Sequence, residues 1–200
     1  MRLIGMLDSP YVRRVAVSLK VLGLPFTHEP VSVFRHFDQF TAINPVVKAP
    51  TLVTHEGTVL MDSTLILNHV ERIVGRSLMP AETPAYTRAL RQIGLALAAS
   101  DKSVAIVYER NQRPEEKRYQ PWMDRVGGQM LAALRELEGE VSDDWFAGDN
   151  VMQPEITTAI GWRFIQHMLP ELVPADDFPQ LVALSARAEK RPAFRETDYS

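Results

Sequence analysis

The chain has 200 residues, of which 46% are hydrophobic, and a formal net charge of −3 at pH 7. This composition is typical of a globular protein of one or two domains that needs no metal or disulfide to hold its core. The chain contains no cysteine. Disulfides, thiolate metal sites and covalent cysteine chemistry of the protein itself are therefore excluded, and any reactive thiol must arrive with a ligand.

Charge pattern, histidine placement and hydropathy exclude further classes of partner. Charges of both signs are mixed and no basic stripe stands out, so we expect no nucleic-acid partner. The five histidines lack metal-ligand spacing, so we expect no metal. The N-terminal apolar run is too short for a signal peptide and no window reaches membrane-spanning length, so we expect a cytoplasmic protein with no membrane partner.

The first part of the chain predicts a parallel strand–helix–strand unit. Residues 2–6 form a short apolar run typical of a buried strand. Ser9 is a good N-cap and Pro10 is favoured at the first helical position; apolar residues then recur at helical spacing until Gly23, which fits a C-cap. Residues 26–33 are predicted as the second strand, parallel to the first through a right-handed crossover.

A hairpin and a second helix follow. Two β-prone runs, residues 50–53 and 59–61, flank a turn and predict antiparallel strands. Asp62 and Ser63 offer an N-cap, an apolar helical stripe continues from there, and Gly75 closes it. The order of elements is therefore βαβ, a connector, then ββα.

A proline-containing linker, residues 79–84, separates this part from a stretch with helical periodicity and few strand signals. The apolar stripes are, in chain order, Leu90, Ile93, Leu97 and Val104; Val126, Met130, Leu134 and Leu137; Ile156, Ile160 and Phe164; and Leu181, Leu184 and Ala188. Pro192 is expected to stop the last helix. The pattern predicts an all-helical second domain.

Three segments in the first eighty residues resemble the glutathione transferase family, in order and at the family's separation. Residues 9–15 (Ser-Pro-Tyr-Val-Arg-Arg-Val) resemble the catalytic-serine segment, residues 44–52 (Asn-Pro-Val-Val-Lys-Ala-Pro-Thr-Leu) the cis-proline segment, and residues 56–63 the turn that recognises the γ-glutamyl group. The resemblance runs the length of the chain. It points to a bacterial branch whose second helix pair carries an Asp and then a Glu eight residues later, here Asp101 and Glu109.

The resemblance implies an α/β thioredoxin-like N-terminal domain (βαβ-ββα) over residues 1–78, a linker over 79–85 and an all-α C-terminal domain over 86–200. It implies a homodimer that uses glutathione as co-substrate and joins its thiol to a small hydrophobic electrophile.

In one respect the chain departs from the family, which usually begins its central helix with Ser or Thr and an Asp three residues later. Met152 and Glu155 stand there, so only the acidic half of the capping box is kept.

Ser9 is the residue that the resemblance assigns to catalysis. A thiol with a pKa of roughly 8.5 is mostly protonated at neutral pH, and a helix start favours an anion through its unpaired N–H groups and partial positive charge. By resemblance, the Ser9 hydroxyl donates a hydrogen bond to the sulfur. The alternative is a plain N-cap that accepts from an amide of the first turn. Arg13 and Arg14 are expected to be exposed helix positions; a place near the site is the alternative for Arg13.

The cis-proline segment is expected to hold the middle and the glycyl end of glutathione. In the family a cis Pro50 leaves the backbone N–H and C=O of Ala49 pointing into the site, where the cysteinyl backbone pairs with them like an added strand. Most X–Pro bonds in folded proteins are trans, so trans is the alternative. Lys48 is the nearest cation for the glycyl carboxylate, with Arg35 and His36 as weaker candidates; a solvated surface lysine is the alternative.

Asp62 and Ser63 are expected to receive the γ-glutamyl end. The Asp62 carboxylate can take the α-ammonium, while the Ser63 hydroxyl and amide can bind the α-carboxylate at the positive end of the helix. The alternative for both is helix capping. In many relatives an acidic residue placed like Asp101 reaches the glutathione of the other protomer, and the alternative here is an exposed helix charge.

The electrophile is expected between the two domains. Candidates for this pocket are Phe34 of the first domain and Val104, Val107, Tyr108 and Asn111 of the second, although a tyrosine and aliphatics at helical spacing also fit a helix core.

A peroxidase or isomerase that uses the same bound thiol is the nearest alternative activity. The family's isomerase branch normally has a serine- and cysteine-rich active-site turn, which this chain lacks. A non-enzymatic binding module is the other alternative, because fold alone does not settle function.

Overall fold

The structure, a computed structural model, describes residues 1–142 and 151–199, which divide into two compact units. The first unit comprises residues 1–78 together with the C-terminal segment from Lys190, and the second comprises residues 79–189. This differs from the predicted domains, which assign the C-terminal segment to the helical domain. The segment leaves the helical unit because side chains of the first unit bind it, as described below.

The first unit is built on a four-stranded mixed sheet in the order β2-β1-β3-β4. Its strands are β1 (Arg2–Ile4), β2 (Thr27–Glu29), β3 (Thr51–Val53) and β4 (Val59–Met61), and its helices are α1 (Pro10–Val21), α2 (Phe37–Ile43) and α3 (Ser63–Val74). β1 pairs in parallel with β2 and antiparallel with β3, which pairs antiparallel with β4. The predicted βαβ unit and hairpin are confirmed, but β2 is shorter than predicted.

Helix α2 lies in the segment that the sequence pattern leaves as a connector. Its N-cap residue, His36, makes no side-chain capping bond, and Phe40 is its buried residue. Phe40 forms an apolar cluster with Ile4, Val31 and Val53 beneath the sheet. A helix of seven residues with one buried side chain has no periodicity to detect, so its position depends on this tertiary contact.

Helix α1 is buried along most of its length, including both of its arginines. Ser9 is its N-cap and Pro10 its first residue, as predicted. Arg13 and Arg14 are 0% and 2% exposed, so the expectation that they are exposed helix positions is wrong. The reason is that α1 packs against α3 and against the C-terminal helix α8 (Pro192–Arg195).

Arg13 binds the C-terminal segment. Its Nε donates to the carbonyl of Thr197 and its Nη2 to the carbonyl of Phe194, both at 3.1 Å. The guanidinium also lies over the rings of Phe194 and Tyr199, 5.7 and 5.3 Å from their centroids. A buried guanidinium needs such partners because burial removes its hydration. Pro192, predicted to stop the last helix, instead begins α8, and the carbonyls that bind Arg13 lie on this helix and just after it.

The second unit is helical over the residues that the structure describes. Its helices are α4 (Thr83–Gln112), α5 (Gln120–Glu140), α6 (Gln153–Met168) and α7 (Pro179–Ala188). The stripes predicted on α5, α6 and α7 are buried, whereas the first stripe is only partly correct: Ile93 is buried but Leu90 is 50% exposed. At the start of α6, Glu155 accepts a bond from the Met152 amide at 2.7 Å, so the acidic half of the capping box is present.

Within residues 1–142 and 151–199, no helix is long and apolar enough to cross a membrane. In the same residues, no group of three or more histidines and carboxylates is placed so that it could hold a metal ion.

Gly5 brings three segments of the first unit together. It follows β1 with φ +135°, and a Cβ placed on it would lie 2.6 Å from Val12 Cγ2 and 3.2 Å from Ala49 Cβ. Real Cβ atoms do not approach other atoms as closely as the first distance. Glycine therefore allows the end of β1, the first turn of α1 and the loop before β3 to approach one another.

We expect Gly5→Ala to lower the free energy of unfolding by more than the roughly 1–3 kcal/mol of a strained backbone position, because the new Cβ also overlaps Val12. Gly57→Ala is the matched control, since Gly57 also has positive φ (+85°) but nothing lies within 4 Å of a Cβ there. Urea unfolding of the two variants measures both effects. Equal losses would show that the close approach at Gly5 carries no cost.

Candidate functional site

Direct contacts in the first unit join the three segments that carry the predicted glutathione contacts. Gly5 brings the first turn of α1, which follows Ser9, against Ala49 of the cis-proline loop. Arg14 of α1 bonds to the first turn of α3, where Asp62 and Ser63 lie. The two helix starts and the loop are therefore held at the same end of the sheet, where Ile4, Thr51 and Met61 are paired.

Ser9 caps α1, as the alternative in the sequence suggests. Its Oγ accepts from the Val12 amide at 3.5 Å, the long end of the hydrogen-bond range, and its carbonyl accepts from the Arg13 amide at 3.0 Å. A serine hydroxyl carries one proton as well as two lone pairs. Capping uses a lone pair, so Ser9 can cap the helix and still donate its proton to an anion. Its catalytic role stays a prediction.

The loop before β3 is braced by a buried asparagine. Asn44 is 1% exposed; its Nδ2 donates to Thr51 Oγ1 at 2.8 Å and its Oδ1 accepts from the Val46 amide at 3.1 Å. Thr51 Oγ1 in turn donates to the carbonyl of Lys48 at 2.8 Å. The bond from the Val46 amide to Oδ1 is an Asx turn, in which an asparagine side chain fixes the backbone two residues on.

The peptide bond between Ala49 and Pro50 is cis. Pro50 is buried and Ala49 partly buried, while Lys48 is exposed. The two weaker candidates for the glycyl carboxylate, Arg35 and His36, are exposed as well. His36 is partly engaged, because its Nδ1 accepts from the Ser32 amide at 3.1 Å. The exposure of Lys48 fits both the binding and the solvated alternative, so its role stays a prediction.

Asp62 and Ser63 begin α3. Asp62 has φ +72°, and its Oδ1 accepts from the amides of Thr64 at 2.9 Å and Leu65 at 3.4 Å. Both bonds use the same oxygen, so capping does not require Oδ2. Ser63 is 5% exposed and is the first helical residue. Unpaired amides and the positive end of the helix dipole make this turn suited to an anion.

Arg14 of α1 binds this turn, a contact that the sequence motifs do not predict. Its Nη1 donates to Ser63 Oγ and to Thr64 Oγ1, each at 3.0 Å. Burial lowers the pKa of the guanidinium to about 10, because desolvation outweighs the opposing attraction of Asp62 and Glu71. At neutral pH the group is still charged, so α3 begins beside a buried cation.

One feature of the sequence could have revealed this burial. From Val12 to Leu19 every residue except the two arginines is apolar or a serine. A helix that is apolar on all sides is buried on all sides. Charged residues within such a helix are therefore expected to be buried and paired rather than solvated.

The remaining candidates lie mostly on α4 of the second unit. Asp101, Val104, Tyr108 and Asn111 follow one another at spacings of three and four and so share one face of the helix. Asp101, Tyr108 and Asn111 are exposed and Val104 is partly buried, whereas Val107 belongs to the buried core. Phe34 of the first unit is 50% exposed. Their roles at an electrophile site stay predictions.

A family model described as glutathione S-transferase, N-terminal domain, matches residues 3–77. A glutathione S-transferase from Methylobacterium radiotolerans, solved in complex with glutathione sulfonate, is 30% identical with a TM-score of 0.90, over 100% of this chain and 95% of that one. A glutathione transferase family member from Pseudomonas fluorescens Pf-5, solved with bound glutathione, is 29% identical with a TM-score of 0.86; the match covers 100% of this chain and 98% of that chain.

A curated relative of different activity is also similar. It is a maleylacetoacetate isomerase of Pseudomonas aeruginosa, 25% identical over 94% of this chain and 90% of its own length. The likeness to the solved structures over the full chain confirms the predicted fold of a thioredoxin-like N-terminal domain and an all-helical C-terminal domain. The chain belongs to the glutathione S-transferase family.

Proposed function

We propose that the protein is a glutathione transferase that binds glutathione and activates its thiol for attack on a small hydrophobic electrophile. The observation that carries the proposal is the first turn of α3. There a carboxylate at Asp62 and a hydroxyl at Ser63 stand beside the buried cation of Arg14. These groups complement the ammonium and the carboxylate of an amino-acid head group such as the γ-glutamyl end of glutathione.

Each part of glutathione has a proposed partner. Asp62 takes the α-ammonium through Oδ2, and Ser63 donates its O–H and its amide to the α-carboxylate. The backbone of Ala49, before Pro50, pairs with the cysteinyl backbone, and Lys48 takes the glycyl carboxylate. Bound glutathione and glutathione sulfonate in the two solved relatives support a ligand of this kind.

The proposed chemistry begins with loss of the thiol proton to solvent. Ser9 O–H and the amides at the start of α1 then stabilise the thiolate, which attacks the electrophilic carbon. A carbon–sulfur bond forms, and a leaving group such as halide departs with the electron pair of its bond. Phe34, Val104, Tyr108 and Asn111 are the residues that we propose contact the electrophile.

Isomerisation is the second candidate because a maleylacetoacetate isomerase is among the relatives. In that reaction the same thiolate adds to a carbon–carbon double bond and leaves again after the bond has rotated, so glutathione is regenerated. Both reactions need a stabilised thiolate, whereas a non-enzymatic module does not. Activation of the thiol is therefore the property to test first.

We expect Ser9→Ala to raise the pKa of bound glutathione by roughly one to two units, because a charge-assisted hydrogen bond of about 1.5–3 kcal/mol is lost. The sign follows from stabilisation of the ionised thiol in the wild type. A pH titration of thiolate absorbance in the complex measures the shift, and conjugation rates with a generic aryl halide should fall at neutral pH. Glutathione affinity should change less, because the other contacts remain.

Ser9→Thr is the matched control, since threonine keeps both the hydroxyl and the cap. It should leave the thiol pKa near that of the wild type. If Ser9→Ala stays folded and changes neither the pKa nor the rate, Ser9 is only a helix cap and another group holds the thiolate.

We expect Asp62→Asn to weaken glutathione binding by about 10- to 150-fold, the value of a charged hydrogen-bond partner. Asparagine can still accept the two amide bonds and tolerates positive φ, so the free energy of unfolding should change little. Calorimetry with glutathione measures the affinity. Asp38→Asn, which changes an exposed carboxylate in the first turn of α2, controls for net charge. Equal affinities for both variants would remove Asp62 from the site.

We further propose a homodimer in which α3 and α4 contribute most of the interface and Asp101 reaches the glutathione bound by the partner subunit. Exposed apolar side chains on these helices support this assembly; they are Leu65, Ile73, Tyr86 and Leu90. On each helix the two side chains share one face, at spacings of eight and four residues, and an exposed apolar face is typical of an interface. The two-fold axis would bring identical patches together.

Sedimentation at micromolar concentration should give twice the 22.6 kDa of one chain. Leu65→Glu should shift the mass towards one chain, because a charge would be buried at the interface. Val182→Glu, on an exposed apolar position of α7, should leave the mass unchanged. A wild type that sediments as a monomer contradicts the assembly.

A further inference from the structure

Arg14 connects α1 to the first turn of α3 through two hydrogen bonds from one nitrogen. Nη1 donates to Ser63 Oγ and to Thr64 Oγ1, each at 3.0 Å. Arg14 is 2% exposed and Ser63 is 5% exposed, while Thr64 is exposed. The bond to Ser63 is therefore shielded from water, where a charge-assisted hydrogen bond is strong.

This contact fixes the role of the Ser63 hydroxyl. A guanidinium has five N–H donors and no acceptor, so Ser63 Oγ must accept from Arg14. The single proton of the hydroxyl then points away from Arg14 and is available as a donor. A carboxylate can only accept. Arg14 thus orients Ser63 as a donor to a carboxylate at the start of α3.

The buried charge of Arg14 also favours a carboxylate at Ser63. Asp62 and Glu71 attract the guanidinium but do not offset its desolvation. A ligand carboxylate bound at Ser63 would add a negative charge close to this cation, in a region of low dielectric where the attraction is large. A ligand without that carboxylate would leave the Ser63 proton and the cation without this partner.

We propose that Arg14 is a positioning residue that makes the site selective for thiols carrying an α-carboxylate on the γ-glutamyl end. It acts through Ser63 and need not touch the ligand itself. This inference rests on the proposed function, since it names what selects the ligand of the same site.

The test is a cycle of variants and ligands measured by calorimetry. The two ligands are glutathione and γ-aminobutyryl-cysteinyl-glycine, in which hydrogen replaces the α-carboxylate. We expect Arg14→Met to lose about tenfold or more in glutathione affinity, a change worth ~1.4 kcal/mol, and to bind the analogue as the wild type does. Arg14→Lys, which keeps a charge and a donor, should recover part of the selectivity.

Arg13→Met is the matched control. Arg13 is the neighbouring residue on α1, is fully buried and binds carbonyls of the C-terminal segment. Any loss caused by a loosened α1 should therefore reduce the affinity for both ligands by the same factor. Ser63→Ala should reduce the preference for glutathione over the analogue, because the hydroxyl is lost while the amide remains. Arg14→Lys added to it should change that preference by less than about twofold, because the two residues act as one unit.

The outcomes separate this inference from the proposed function. If the wild type binds glutathione but Arg14→Lys and Arg14→Met weaken both ligands equally, Arg14 is only structural and the inference is wrong. If circular dichroism shows that Arg14→Met does not fold, the comparison uses Arg14→Lys, Ser63→Ala and the variant that combines both substitutions. Equal weakening of both ligands by Arg14→Lys would again mean that Arg14 is only structural. If the wild type does not bind glutathione, the proposed function fails, and the inference fails with it.

Discussion

Burial of helix α1 on all sides constrains the whole first unit, because two adjacent arginines are buried with it. Removing one partner of a buried charge costs about 3–5 kcal/mol, so both guanidinium groups must be satisfied at the same time. Arg13 is satisfied by carbonyls of the C-terminal segment and Arg14 by hydroxyls of α3. Two parts of the chain that are remote in sequence are thereby fixed to one helix. The position of Ser9 at the start of α1 depends on both.

Capping and ligand binding are compatible at both helix starts. Ser9 caps with a lone pair and keeps its proton, while Asp62 caps with Oδ1 alone. Ser63 accepts from Arg14 and also keeps its proton. The sequence leaves open whether these three residues are structural or functional. The two roles do not exclude each other, because each residue can fill both at once. Each side chain holds its helix with one atom and leaves another for an anion or an ammonium.

Much of the first unit could be predicted because its signals are local. The caps at Ser9 and Asp62, the left-handed Gly75 and the hairpin all depend on residues within a few positions of one another. What could not be predicted depends on distant contacts. Helix α2 is held by Phe40 beneath the sheet. The burial of Arg13 depends on carbonyls more than 180 positions away.

The candidate site shows the same division. Its predicted residues come from short sequence motifs, each of which lies at a helix start or a turn. Arg14 could not be placed in this way, since its partners lie on another helix about 50 positions away. Its type and the apolar character of α1 were nevertheless visible in the sequence. An arginine in a fully apolar helix predicts that a partner exists, and only the fold shows which one.

Local contacts offset two unfavourable backbone conformations beside the site. Val47 and Asp62 have φ of +53° and +72°, and left-handed conformations of non-glycine residues, above all β-branched ones, cost free energy. Asp62 is held by its own two capping bonds. Val47 packs with Ala49 against the apolar cluster around Phe40, so burial of its side chain offsets the backbone cost. The helix that sequence patterns do not detect thus helps to hold the loop of Lys48, Ala49 and Pro50 in place, through Phe40 and through Asn44 at its C-terminal end.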